Sequence, residues 1–124
     1  MKKIRRLPES ELEIMQIIWK MKSPVSRPAI EHVLEKEHPL AATTILTLLT
    51  RLTEKGFLAQ KKEGRSNLYK PLITEKEYLA SESRLFLDKL FDGSIANFAT
   101  ALCDSGIKKE ELEELRRLLE KGEL

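Results

Sequence analysis

The sequence predicts a mainly α protein in two parts: a domain over residues 1–73 that contains one β-hairpin, and a helical arm over residues 74–124. Three observations carry that reading. Apolar residues recur at helical spacing in six segments, and one further segment has the pattern of strand, turn and strand. Charge divides at the same place, with 14 Lys and Arg against 8 Asp and Glu in residues 1–73, and 8 against 12 in residues 74–124. A chain of 124 residues, 41% hydrophobic and 34% charged, can bury only a modest core. An apolar arm attached to such a core needs another surface to cover it.

The first helix runs from about Glu9 to Lys22. Leu12, Ile14, Met15, Ile17, Ile18, Trp19 and Met21 give it a wide apolar face, and Glu9, Glu11 and Glu13 favour its N-terminal turn. Trp19 on that face belongs to the core rather than to a base-stacking platform. Ser23-Pro24 ends the helix, and Ser26 caps a second one whose first turn tolerates Pro28. Ala29, Ile30, Val33 and Leu34 are expected inside. After His38-Pro39, a third helix spans Ala41 to Lys55 and closes on Gly56.

The third helix has two distinct faces. Ile45, Leu48, Leu49 and Leu52 follow i, i+3, i+4, i+7 and are expected to be buried, which leaves Thr43, Leu46, Thr47, Thr50 and Glu54 opposite. Threonine is a poor helix former, and solvent faces favour Glu, Lys and Gln, so this outer face needs another reason. Phe57 to Leu72 then reads as two strands around Gly64-Arg65-Ser66-Asn67, the second an edge strand because of Pro71.

Thr74-Glu-Lys-Glu77 is a capping box that opens a long helix ending at Asp92-Gly93. Ser94 caps a fifth helix on Ile95, Phe98, Ala99 and Leu102, ended by Gly106, and Glu110 to Lys121 forms a sixth on Leu112, Leu115, Leu118 and Leu119. Cys103, the single cysteine, has no partner for an internal disulfide and is read as buried filling.

Several function classes recede on composition. No apolar run approaches the roughly 20 residues of a membrane span, and no signal-peptide core follows Met-Lys-Lys-Ile-Arg-Arg, so the expected location is cytoplasmic without membrane insertion. His32 and His38 sit in no metal, nucleophile or phosphate-binding motif. Neither catalysis nor a metal or other cofactor is expected.

Three helices followed by a two-stranded wing are the order of a winged helix-turn-helix, in which the helix before the hairpin enters the DNA major groove. That role explains the outer face: Thr43, Leu46, Thr47 and Thr50 offer hydroxyls to base edges or phosphates and methyl groups to thymine. Arg51 and Lys55 would meet backbone phosphates, as would Lys61, Lys62 and Arg65 on the wing and Lys2, Lys3, Arg5 and Arg6 before the first helix. In the arm, Leu79, Leu85, Phe86, Leu90 and Phe91 on one helix are expected to pack in a homodimer. Ile95, Phe98, Leu102, Leu112, Leu115 and Leu119 on the last two helices extend that surface. Pairing would set two recognition helices on half-sites about 10 bp, or a multiple, apart. A winged-helix module for protein contact alone is the competing reading, and it predicts no affinity for duplex at any salt.

Glu13-Ile-Met-Gln-Ile-Ile-Trp19, Thr44-Ile-Leu-Thr-Leu-Leu-Thr-Arg-Leu52 with Lys55-Gly-Phe57, and Glu113-Glu-Leu-Arg116 stand in that order. They resemble the penicillinase-repressor family, repressors of β-lactamase and methicillin-resistance genes, over nearly the whole chain. The resemblance implies that Thr44, Thr47, Thr50 and Arg51 belong to the DNA-reading helix. It also implies a homodimer on palindromic double-stranded operator DNA, released when a membrane-bound sensor metalloprotease triggers cleavage of an Asn-Phe bond. Asn97-Phe98 is the matching pair here. Known members carry basic residues at the positions of Thr43 and Leu46, so their operator sequence does not transfer, and a repressor of another operon with a different inducer is the alternative. The cysteine cluster of the copper-responsive branch is absent.

Overall fold

A computed structural model describes residues 3–122; Lys2, read above as a phosphate contact, lies outside them. The order of elements is α1 (Glu9–Lys20), β1 (Val25–Ser26), α2 (Arg27–Leu34), α3 (Ala42–Glu54), β2 (Leu58–Glu63), β3 (Ser66–Pro71), α4 (Glu75–Phe91), α5 (Ile95–Asp104) and α6 (Lys109–Lys121). The chain divides into two compact units between Glu82 and Ser83.

In the first unit, α1, α2 and α3 each contribute one apolar face to a single core. Ile14, Met15 and Ile18 come from α1, Ile30 and Leu34 from α2, and Ile45, Leu49 and Leu52 from α3. The sheet closes that core with Leu58 and Tyr69. Ser26 caps α2 by accepting the Ala29 N–H at 3.3 Å, with Pro28 in the first turn, where its missing N–H costs no helical bond. Val33, expected inside, is 39% exposed. The eight-residue α2 turns Ile30 and Leu34 inward, one turn apart, and leaves the position beside them at the rim.

The sheet corrects one expectation. Its order is β1-β3-β2, so the second strand of the hairpin lies in the middle. Two-residue β1 pairs only with Leu68 and Tyr69, and Pro71 lies beyond that pairing, opposite Leu58, so a proline near the strand end is compatible with a central position. A ladder of two residues is too short to leave a periodic signal in the sequence.

The division between the units also falls later than residue 73. Tyr78, one turn into α4, is 2% exposed and packs its ring on Trp19 and Phe57 at centroid distances of 5.6 and 5.8 Å. Trp19 in turn donates its indole N–H to the Ile73 carbonyl at 2.9 Å. The capping box is present, with Thr74 Oγ1 accepting the Glu77 N–H and Glu77 accepting the Thr74 N–H. The opening turns of α4 therefore belong to the core of the first unit.

The second unit holds the rest of α4 with α5 and α6. Ser94 caps α5 by accepting the Asn97 N–H at 3.0 Å. Phe86, Phe91 and Phe98 form an edge-to-face cluster with centroids 5.5 to 6.1 Å apart. Neither α5 nor α6 contains a buried residue. Leu90, Ile95 and Leu119 are 61%, 66% and 58% exposed. Cys103, read as buried filling, is exposed. Leu102 takes the inward position on α5, and the next residue is carried about 100° around the helix. No helix among the described residues is long and apolar enough to cross a membrane.

Candidate nucleic-acid interface

Burial separates the faces of α3. Ile45, Leu49 and Leu52 have no exposure, Leu48 has 5%, and Leu46 on the opposite side has 39%. Thr43, Thr44, Thr47, Thr50 and Arg51 are exposed beside it. No side chain caps the N-terminus of α3, whose N-cap is Ala41, and its first turn holds no acidic residue. The positive end of the helix dipole is therefore uncompensated where a polyanion would approach.

Hydrogen bonding narrows what the threonines can offer. Thr47 Oγ1 donates to the Thr43 carbonyl at 3.0 Å, and Thr50 Oγ1 donates to the Leu46 carbonyl at 2.9 Å. Each hydroxyl proton is thereby committed to the helix backbone, leaving oxygen lone pairs and a methyl group outward. Such a face accepts hydrogen bonds from the exocyclic amines of adenine or cytosine and packs against thymine methyl groups. It is poorly suited to guanine, which offers only acceptors in the major groove.

Thr44 and Arg51, seven residues apart, share a flank of α3 turned toward α1. They line an open cleft with Ser10, Glu13 and His38. His38 is held there by Glu13, with Nδ1 to Oε2 at 2.9 Å, which ties the turn before α3 to α1. One turn beyond Arg51 on the same flank, Lys55 departs from its expected role. Its ammonium is ion-paired with Glu11, a carboxylate on α1 with only 4% side-chain exposure. A buried carboxylate has to be neutralised by a partner, and Lys55 supplies that charge, so its first duty is to the core rather than to phosphate.

The wing is a two-residue hairpin whose turn is Gly64-Arg65, between the paired Glu63 and Ser66. Gly64 holds φ +62 there, a conformation costly for other residues. Lys61, Lys62 and Arg65 are all exposed. Strand alternation turns Lys61 and Lys62 to opposite faces. The outer face, away from buried Tyr69, instead places Lys61 diagonal to Lys70, since Lys61 pairs with Leu68 and Lys70 with Ala59. Lys70 was missed in the sequence; as the residue directly after the apolar Tyr69 on a strand, it has to face the other way. Arg6, read as a phosphate contact, lies with its Nε 3.4 Å from Glu82.

A three-helix core, a helix with one buried face and one exposed threonine face, and a basic wing beyond it define a winged helix-turn-helix DNA-binding protein. Residues 7–121 match the family model described as penicillinase repressor. The chain is 36% identical to the penicillinase repressor of Bacillus licheniformis, covering 97% of this chain and 94% of that one. It is 30% identical to the methicillin resistance regulatory protein MecI of Mammaliicoccus sciuri, over 96% and 97% of the two chains. Among solved structures it is similar to monomeric Bacillus licheniformis BlaI in complex with the blaP half-operator. That likeness has a TM-score of 0.52 and 41% identity, over 63% of this chain and 94% of that one. The protein belongs to the penicillinase repressor family of winged-helix transcription regulators.

Proposed function

We propose that this protein is the repressor of a β-lactamase-type operon, binding a palindromic operator as a homodimer. The observation that carries the reading is the exposed Thr43, Leu46, Thr47, Thr50 face on a helix whose other side is wholly buried. The relative caught on a half-operator supports duplex DNA as the ligand. Thr43, Leu46, Thr47 and Thr50 read bases, while Thr44, Arg51, Lys61, Lys62 and Arg65 position the backbone.

Thr47→Ala is expected to weaken binding to the protein's own operator by about 1–3 kcal/mol and to leave affinity for random duplex nearly unchanged. Fluorescence anisotropy titrations on both duplexes check this; equal losses would remove Thr47 from base readout. Arg65→Ala is expected to weaken all duplexes alike and to reduce the slope of log K against log salt by about one. An unchanged slope would place Arg65 off the phosphates.

The homodimer rests on the apolar positions of the arm. Leu79, Leu85, Phe86, Leu90, Ile95 and Leu119 are exposed in the single chain, and Phe91, Phe98, Leu102, Leu112 and Leu115 are only half-buried. A second copy brings the same residues to the same patch, as a two-fold interface requires. Relief of repression follows from cutting the arm at Asn97-Phe98, the work of a membrane-bound sensor metalloprotease or a protease it triggers. That bond lies in the first turn of α5, where the Ser94 cap holds Asn97, so α5 has to open locally before a protease can take it as an extended strand. In the native host, Asn97→Ala is expected to leave the repressor intact and the operon silent under β-lactam challenge. Normal induction with an intact arm would exclude this route.

A further inference from the structure

The hydroxyl of Tyr78 is the centre of a small relay at the last residues of the first unit. It accepts the backbone N–H of Leu7 at 3.0 Å and donates to Glu82 Oε1 at 3.2 Å, and the same carboxylate oxygen lies 3.4 Å from Arg6 Nε. Leu7 is 6% exposed and Tyr78 2%. Burial is the main influence pushing the phenol above its ordinary pKa, so the hydroxyl keeps the proton it donates. The Tyr78 ring is already fixed by Trp19 and Phe57. Packing therefore holds the ring, and the hydroxyl serves a separate connection, from the segment before α1 to the α4 turn that ends at Glu82.

Tyr78 and Glu82 are i and i+4 on α4, one turn apart on one face. The helix continues without a break to Phe91, beyond the division of the chain at Ser83. Two consecutive turns of a continuous helix, tied at both points to the strand of chain before α1, lose the freedom to swing about Tyr78 alone.

We infer that the Arg6–Leu7–Tyr78–Glu82 relay is a positioning device for two-site DNA binding, stiffening the start of α4 so that the two halves of a palindrome are engaged at one defined spacing. This rests on the dimer reading above. Tyr78 and Glu82 touch no DNA in this role. They act through α4, and their effect appears only when both half-sites are engaged.

Tyr78→Phe keeps the ring and removes the relay. The probes are a palindromic duplex selected by the full-length protein from a random library, its isolated half-site, and versions with 1 bp added to or removed from the spacer. The variant is expected to bind the half-site within twofold of the wild type, which also reports that the first unit is folded. On the palindrome it is expected to lose at least tenfold in affinity, and its preference for the selected spacing over altered spacings should shrink by a similar factor. Glu82→Gln, which retains an acceptor for the hydroxyl but gives up the Arg6 ion pair, should fall between the two. Unchanged palindrome affinity and spacing preference in Tyr78→Phe would overturn the relay's role while leaving the dimer standing. A wild-type protein that gains nothing from a second half-site would overturn the dimer reading and the relay with it.

Discussion

Lys55→Met is expected to destabilise the folded protein by about 3 kcal/mol, because it strands the Glu11 carboxylate in the core without a counter-charge. In urea titrations the midpoint should fall with little change in slope. Replacing Glu11 and Lys55 together by methionine should recover most of that loss, since two apolar groups of similar volume need no neutralisation. Additive losses would show that the pair is not coupled. The same variants bear on DNA binding. A structural Lys55 predicts the same salt slope on duplex for wild type and Lys55→Met, whereas a phosphate contact predicts a slope lower by about one.

Ile95→Asp is expected to abolish the dimer and reduce palindrome affinity roughly 100-fold, within the range that linking two binding sites provides. Ile95 is 66% exposed in the single chain and is the first residue of α5, where an acidic side chain suits the helix dipole. The chain itself should therefore fold normally. The penalty arises only when a partner buries the carboxylate. Sedimentation equilibrium and half-site titration separate the outcomes: monomers with wild-type half-site affinity are expected, and persistent dimers would place Ile95 outside the interface.

Much of this architecture was legible in sequence because long helices repeat their burial pattern. Ile45, Leu48, Leu49 and Leu52 mark one side of α3, and the anomalous threonines on the other side point to a ligand from residue type and spacing alone. What escaped reading was short or tertiary. The two residues of β1 have no periodicity to detect, and they alone turn β3 into a central strand. Local charge and capping place a boundary near Ile73, whereas Tyr78 joins the first core through rings from α1 and from the residue that opens the hairpin.

Glu11 is a charged residue whose burial helix periodicity alone implies. It stands at i with Ile14, Met15 and Ile18 at i+3, i+4 and i+7, squarely on the apolar face of α1, a placement that its suitability for a helix N-terminus does not explain. A carboxylate at such a position requires a cation from elsewhere in the fold. Which cation answers, Lys55 rather than any other, depends on how α1 and α3 meet, and local patterning does not encode that. Cys103 and Val33 failed for the opposite reason. Each is a hydrophobic type one residue away from the inward position, and on short helices the apolar stripe is too narrow to include both.

The central claim is that two copies of this chain read a palindromic duplex through the outer face of α3. Its most direct test is an anisotropy titration, at fixed physiological salt, of the selected palindrome against a scrambled duplex of the same length and composition. Binding of two chains per palindrome, at least about 1,000-fold tighter than to the scrambled duplex, is predicted. That preference should contract when Thr47 and Thr50 are both replaced by alanine. Equal affinity for the two duplexes, or an undiminished preference in the double variant, would contradict it.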